Sequence, residues 1–366
     1  MQTRRDFIGR SLIGGALLGA VPILGAGARA SGYQGTVLRA GPDSTVPGSA
    51  PATTGAPADP LGTVGTQFSW VPDIEWAAWY LAEVNGYFAA RGVTSELGHG
   101  GPNTPAVVQI LASGEGNIGL SGDELEILKA NQTGADYVAI GAMYQRSPFG
   151  YAWLAETNIT TSEDLVGLRI GGVQGDQIRI DAIFTLNDLP VDYEFVPMSF
   201  DPQPLVDGDV DVITAYVTNQ PVQLGLQGVE TGSAPFSDFG LKAYGDVIFA
   251  SRAYLDENRD LVVAYLAGLL GGVEANRADP EAVVPILVEQ YGADNEIDAD
   301  YATAGNPAYI ALMDSEFTEA NGLLSMDPAY LESEVWPGLE AAGETDLPDV
   351  ATFLDTSFLT DAHAST

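Results

Sequence analysis

The chain of 366 residues contains no cysteine. That absence removes disulfides, thiol nucleophiles, iron–sulfur clusters and cysteine-ligated zinc together. Histidine is nearly absent as well. With only His99 and His363, neither a histidine-rich metal centre nor a histidine-based triad is expected, and no metal or cofactor is assigned. Cations are the third shortage: 14 Lys and Arg stand against 50 Asp and Glu, a formal charge of −36, and the only lysines are Lys129 and Lys242. A surface of this sign repels phosphate backbones and anionic lipid, which excludes nucleic acid as a partner. It suits a salt-rich surrounding, where mobile ions screen the repulsion. Yet 46% of the residues are apolar, too many for a disordered acidic chain. The length allows two domains with real hydrophobic cores.

Residues 1–30 read as an export leader. Arg4-Arg5-Asp6-Phe7-Ile8 is a twin-arginine pattern, a glycine-rich apolar run follows over 12–24, and Ala28-Arg29-Ala30 fits a signal peptidase cutting before Ser31. The run is short for a stable membrane span, so the membrane is expected to enter only through an uncleaved leader or a membrane-bound partner. Residues 31–60, rich in Gly, Pro, Ser, Thr and Ala, read as a flexible tether. The expected location is periplasmic or at the cell surface, and without cysteine there is no lipid anchor of the lipobox kind.

From residue 61 strand-like and helix-like segments alternate: Val64–Trp70, Glu75–Arg91, Val93–Leu97, Thr104–Ser113, Ile118–Leu120, Asp123–Gln132 and Val138–Met143. Such alternation predicts a parallel sheet covered on both faces. A second α/β series runs from Arg169 to Gln227, so the chain is expected to cross between lobes over Gln145–Thr161 and to return near Val247. Beyond that only helical stripes remain, such as Val262, Tyr265, Leu266, Leu269, Leu270 and Val273. The expected fold is α/β, with two doubly wound sheets in lobes spanning 61–146 and 147–246. Residues 247–366 then supply a return strand and a helical C-terminal tail packed on the first lobe.

Ligands of such sheets bind at the carboxyl ends of the strands, which would face each other across a cleft. Trp70, Trp76, Trp79 and Tyr80 cluster where the first strand meets its helix, and Trp76 is expected to stack on a flat ligand opposite Tyr216. Asp73 and Glu75 flank that site as acceptors for N–H donors, although Asp73 equally fits a helix N-cap. Asn103 and Thr104 end the run Gly98-His99-Gly100-Gly101-Pro102, which lacks a Walker lysine. Asp123, Gln174 and Asn219 occupy matching strand-to-helix loops, and Tyr144 stands at the crossing between lobes. Arg146 is the one cation read on these loops, which fits an anionic ligand poorly. No nucleophile, base and orienting group assemble from them, so the chain reads as a binding protein rather than an enzyme.

Longer stretches carry a family likeness. Trp70-Val-Pro-Asp-Ile-Glu-Trp-Ala-Ala-Trp-Tyr-Leu-Ala82, Gly86-Tyr-Phe88, Gly100-Gly-Pro-Asn103, Gln145-Arg-Ser-Pro148, Phe200-Asp-Pro-Gln-Pro-Leu205 and Ala215-Tyr-Val-Thr-Asn-Gln-Pro221 resemble, in order, the SsuA/THI5-like (NMT1-like) substrate-binding proteins of ABC importers. The resemblance implies a periplasmic-binding-protein-like (type II) fold that closes on its solute through a two-stranded hinge. It implies, as partners, a small-molecule heterocyclic solute and an ABC permease with its ATPase; the chain itself is expected to be a monomer. The tryptophan-rich loop is most similar to receptors for thiamine pyrimidine precursors or riboflavin-like rings. Two departures stand out: Gln220 where many relatives have glutamate, and Trp76 where many pyrimidine binders have histidine. A sulfonate or nitrate receptor, a sensor domain and a pyrimidine synthase are the alternatives within the resemblance. The synthases rely on a cysteine-rich motif that this chain lacks.

Overall fold

The computed structural model describes residues 59–295 and 297–366. The expected leader over 1–30 and nearly all of the tether over 31–60 lie outside the described residues. None of the described helices is long and apolar enough to cross a membrane.

The strands in chain order are β1 (Gly62–Gln67), β2 (Val93–Gly98), β3 (Ile118–Ser121), β4 (Tyr137–Tyr144), β5 (Phe149–Leu154), β6 (Arg169–Gly172), β7 (Glu194–Pro197), β8 (Val212–Tyr216), β9 (Thr231–Pro235) and β10 (Gly245–Ser251). They form two five-stranded sheets, ordered β2-β1-β3-β10-β4 and β7-β6-β8-β5-β9. The α/β class is as the alternation predicts, but the sheets are mixed rather than parallel throughout. β10 runs antiparallel between β3 and β4, and β5 runs antiparallel between β8 and β9. Both exceptions are strands that follow a passage from one sheet to the other. A strand entering a sheet directly after such a passage arrives without a crossover helix, and nothing local in its residues states its direction.

The stretch Gln145–Thr161 therefore holds a strand, β5, and only residues 145–148 pass between the sheets. The return passage over 240–244 lies beside it: the Ser147 N–H donates to the Ala243 carbonyl at 2.9 Å, and Gly245 pairs with Tyr144. The two passages are adjacent segments that run side by side between the sheets. The expected helix over Glu75–Arg91 is also broken. It resolves into a short 3₁₀ turn, Ile74–Trp76, a helix Ala77–Val84 and a second turn Ala89–Arg91, because Gly86 takes a left-handed φ of 75° that ends the first helix.

The core of the first sheet has two faces. On one, helix Arg259–Ala278 lies against Ala77–Val84 so closely that a Cβ at Gly272 would collide with the Ala78 carbonyl. On the other, Phe249, Leu331, Val335 and Phe353 pack together. The tail also covers the outer edge of β4, where the Ala142 N–H donates to Leu324 and the Gln145 N–H to Leu312. An unpaired edge is thereby closed. The tail is not confined to this sheet. Helix Trp336–Ala341 packs against Gln177–Leu186 of the second sheet, and Tyr301 accepts a hydrogen bond from Asn219 at 2.8 Å.

Candidate functional site

The carboxyl ends of β1, β3, β6, β7 and β8 converge on a cavity of about 600 Å³ between the two sheets. That size lies within the range of small-molecule sites. Its first-sheet wall holds Trp70, Asp73, Glu75, Asp123 and Glu126; its second-sheet wall holds Phe149, Asp176, Arg179, Phe200, Tyr216 and Asn219. Tyr309, from tail helix Ala299–Ile310, completes the lining.

Rings meet at two places in this lining. Trp70 and Phe200 approach from opposite sheets with centroids 4.7 Å apart and planes 70° apart, and Phe200 is 49% exposed. Deeper in, Phe149 and Tyr216 meet edge to face at 4.6 Å, with the Arg179 guanidinium 4.8 Å above the Phe149 ring. Arg179 in turn donates through Nε to Asp123 Oδ2 at 3.0 Å, forming an ion pair across the cleft. Asp123 keeps its capping duty, accepting from the Leu125 N–H at 3.0 Å.

Electrostatically the cavity is one-sided. Five carboxyls line it against one guanidinium, which is already committed to Asp123. Burial pushes Asp73 up to about 6 against the lowering effect of the Glu75 N–H and the Tyr301 hydroxyl. Burial, then the charge of Asp246, pushes Glu75 well above the usual carboxylate range. Asp176 is raised by burial although Thr214 Oγ1 donates to it at 2.6 Å. Just outside the lining, burial also pushes Asp246 up to about 8. Such a site disfavours anions and favours groups that donate hydrogen bonds.

The expected residues divide accordingly. Asp73, Asp123, Tyr216 and Asn219 line the cavity together. Trp76 does not: it is fully buried, stacks on Phe68 at 4.6 Å and donates its indole N–H to the Val71 carbonyl at 3.0 Å. Its turn points the ring at the first core, and Trp70, six residues earlier on the free loop, takes the place at the cavity. Tyr144 is buried one layer behind, its hydroxyl donating to the Glu75 carbonyl at 3.1 Å and its ring tilted against Tyr309. Asn103 is exposed, and Thr104 turns its hydroxyl to the Gly101 carbonyl at 2.8 Å; neither lines the cavity. Gln174 is exposed, while its neighbours Val173 and Gly175 reach the wall.

Arg146 is not the cleft cation. It is exposed and pairs with Asp238 at 3.4 Å, whereas Arg179 holds the position in the cavity. Arg179 was findable as the residue one turn into the helix after the Gly172–Asp176 loop, and Phe200 as the aromatic at the carboxyl end of β7. Asp246 had no such signal, because its place beside Glu75 depends on the antiparallel return of β10.

Comparison with known proteins bears on the family and the fold. The family model described as NMT1/THI5 like matches residues 73–283. The riboflavin-binding protein RibY of Chloroflexus aurantiacus is 28% identical over 316 residues, covering 78% of this chain and 88% of that protein. A formylaminopyrimidine-binding protein of Halalkalibacterium halodurans is 26% identical over 237 residues, covering 62% of this chain and 70% of that protein. Among solved structures, the periplasmic aliphatic sulphonate-binding protein SsuA of Escherichia coli superposes with a TM-score of 0.58 at 14% identity, over 79% of this chain and 91% of that one. At that identity the likeness speaks for the fold.

Proposed function

Because the chain belongs to the NMT1/THI5-like family, we propose that it is the solute-capturing receptor of an ABC importer and that its cargo is a planar heterocycle of the riboflavin or aminopyrimidine class. The observation that carries this reading is the cavity's lining: two aromatic pairs over a floor of raised carboxyls, with its single guanidinium held by Asp123. Flat rings stack on such walls, and ring or amino N–H groups satisfy such carboxyls. A sulfonate or nitrate would meet five carboxyls and no free cation.

The reading extends to the residues that hold the cargo. Trp70, Phe200, Phe149 and Tyr216 stack on it, Asp73, Glu75 and Asn219 bond to its edges, and the sheets close about the segments 145–148 and 240–244. Export by the twin-arginine route, delivery as a monomer to a permease with its ATPase, and an acidic surface adapted to salt belong to the same proposal. The test is a thermal-shift series with riboflavin, formylaminopyrimidine, thiamine, taurine and nitrate in low and high salt. A ligand bound only by the folded state raises the melting temperature. A shift with a heterocycle and none with the anions is expected; a shift with taurine or nitrate alone overturns the reading.

A further inference from the structure

Resting on the receptor reading, we infer that Tyr301, a tail residue outside the cavity lining, is the positioning residue of the cleft: its hydroxyl joins Asp73 of one wall to Asn219 of the other and fixes the atoms that both present to the solute. The hydroxyl stands 3.2 and 3.4 Å from the two Asp73 carboxyl oxygens, and Asn219 Nδ2 donates to it at 2.8 Å. Asp73 lines the cavity on the first-sheet side and Asn219 on the second-sheet side. Tyr301 is 6% exposed, so water competes little for these bonds.

Counting protons gives this chain of bonds one direction. Asp73 Oδ1 accepts the Glu75 N–H at 3.2 Å as well as the Tyr301 hydroxyl, and such donors suit a carboxylate. A hydroxyl has one proton, and Tyr301 gives it to Asp73. It can then only accept from the second wall, so Asn219 must turn its amide nitrogen to Tyr301 and its carbonyl oxygen away. That oxygen in turn accepts from Gln223 Nε2 at 2.8 Å. The order from Gln223 through Asn219 and Tyr301 to Asp73 allows no reversal of the Asn219 amide without losing bonds at both of its ends. What remains for a solute is one N–H of Asn219 and, on Asp73, chiefly Oδ2. A donor on one wall and an acceptor on the other suit a ring edge that carries both kinds of group.

The helix that carries Tyr301, Ala299–Ile310, is held on the first-sheet side. Its buried Asn306 exchanges amide hydrogen bonds with Asn276 of helix Arg259–Ala278, at 2.7 and 3.1 Å. Its other contact is with the loop after β8: a Cβ at Gly305 would stand 3.5 Å from the Thr218 carbonyl oxygen and 3.7 Å from the Ile74 side chain. The bond from Asn219 to Tyr301 is therefore one that separation of the walls breaks. A solute enclosed between Asp73 and Asn219 leaves only after that bond has gone, so the hydroxyl acts on the rate of release.

The experiment is stopped-flow fluorescence of the full chain with riboflavin, with calorimetry of formylaminopyrimidine as the second probe. Tyr301→Phe keeps the ring and removes the hydroxyl; its dissociation rate is expected to rise about tenfold while its association rate stays within about twofold of the wild type. In an Asn219→Ala background the same change should alter the affinity by less than about threefold, because the hydroxyl has lost one of the two groups it positions. A role confined to holding the helix would give the same factor in both backgrounds. Gln223→Glu sets a carboxylate against the Asn219 carbonyl and so reverses the amide; it should weaken binding about tenfold, and it keeps the test alive if Tyr301→Phe fails to melt cooperatively. Wild-type rates in Tyr301→Phe, an equal factor in both backgrounds, or an unchanged affinity in Gln223→Glu overturns the inference while leaving the receptor reading intact. A wild type that binds neither heterocycle overturns the receptor reading and this inference with it.

Discussion

Arg179 and Asp123 belong to different sheets, yet the guanidinium donates through Nε to the carboxylate at 3.0 Å in the wall of the cavity. Their side chains are 18% and 10% exposed, so the pair is screened little by solvent. It ties the two walls of the cavity to each other and occupies the cation that would otherwise invite an anion. Replacing Arg179 with Met leaves the Asp123 carboxylate buried and unpaired, and should cost about 3 kcal/mol. Urea unfolding of Arg179→Met, Asp123→Asn and the double variant measures it. The double variant should cost less than the two single costs added, since each single change already breaks the same contact; strict additivity would show that the pair contributes nothing.

Trp70 and Trp76 should separate binding from stability. Trp70→Ala removes a ring of the cross-cleft pair and should weaken heterocycle binding by about 1–2 kcal/mol with little change in melting temperature. Trp76→Ala empties a site inside the first core and should destabilise the fold by about 3–5 kcal/mol. Ligand titration and chemical denaturation of both variants would reveal the reverse assignment directly.

Glu124 gives the fold a pH dependence of definite sign. It is fully buried, Oε1 accepts the Tyr244 N–H at 3.1 Å, and burial, followed by Asp123, pushes it up to about 8 from an ordinary 4.5. The unfolded chain releases this proton near the ordinary value and the folded chain keeps it until about 8. Between those limits the folded state binds more protons, so stability is full at the acid end and falls as pH rises through the window. Glu124→Gln should remove on the order of 3 kcal/mol of that fall. Melting curves of the two proteins from about pH 5 to about pH 8.5 should converge towards the acid end; parallel curves would mean that Glu124 ionises normally.

Salt should stabilise the protein. At a formal charge of −36 the surface carboxylates repel one another, and screening shortens that repulsion to a few ångströms at molar salt. The melting temperature should rise by several degrees, roughly 5–15 °C, between about 0.1 M and about 2 M potassium chloride. Sodium perchlorate at the same ionic strength separates screening from salting-out, since it screens equally and strengthens apolar burial less. A melting temperature unmoved by either salt would show that the carboxylates are spaced too widely to interact.

What the sequence determines by itself is local or additive. The run of alternating segments sets the fold class without knowledge of any contact, because hydrophobic period acts within a few residues, while charge and the lack of cysteine limit the partners and chemistry. The loops at the carboxyl ends of strands were legible for the same reason, and they brought Asp73, Asp123, Tyr216 and Asn219 to the cavity. The tertiary structure alone decided which ring on a loop faces the cavity. Trp70 and Trp76 are both apolar aromatics in one short stretch, and only the packing of the turn Ile74–Trp76 sends one inward. It also decided the partners across long sequence separations. Arg179, on the helix after β6, finds Asp123 on the loop after β3, and Asp246 is brought near Glu75 by the direction in which β10 re-enters the first sheet. Strand direction and side-chain pairing between distant segments follow from the closure of the whole core, and no residue encodes them alone.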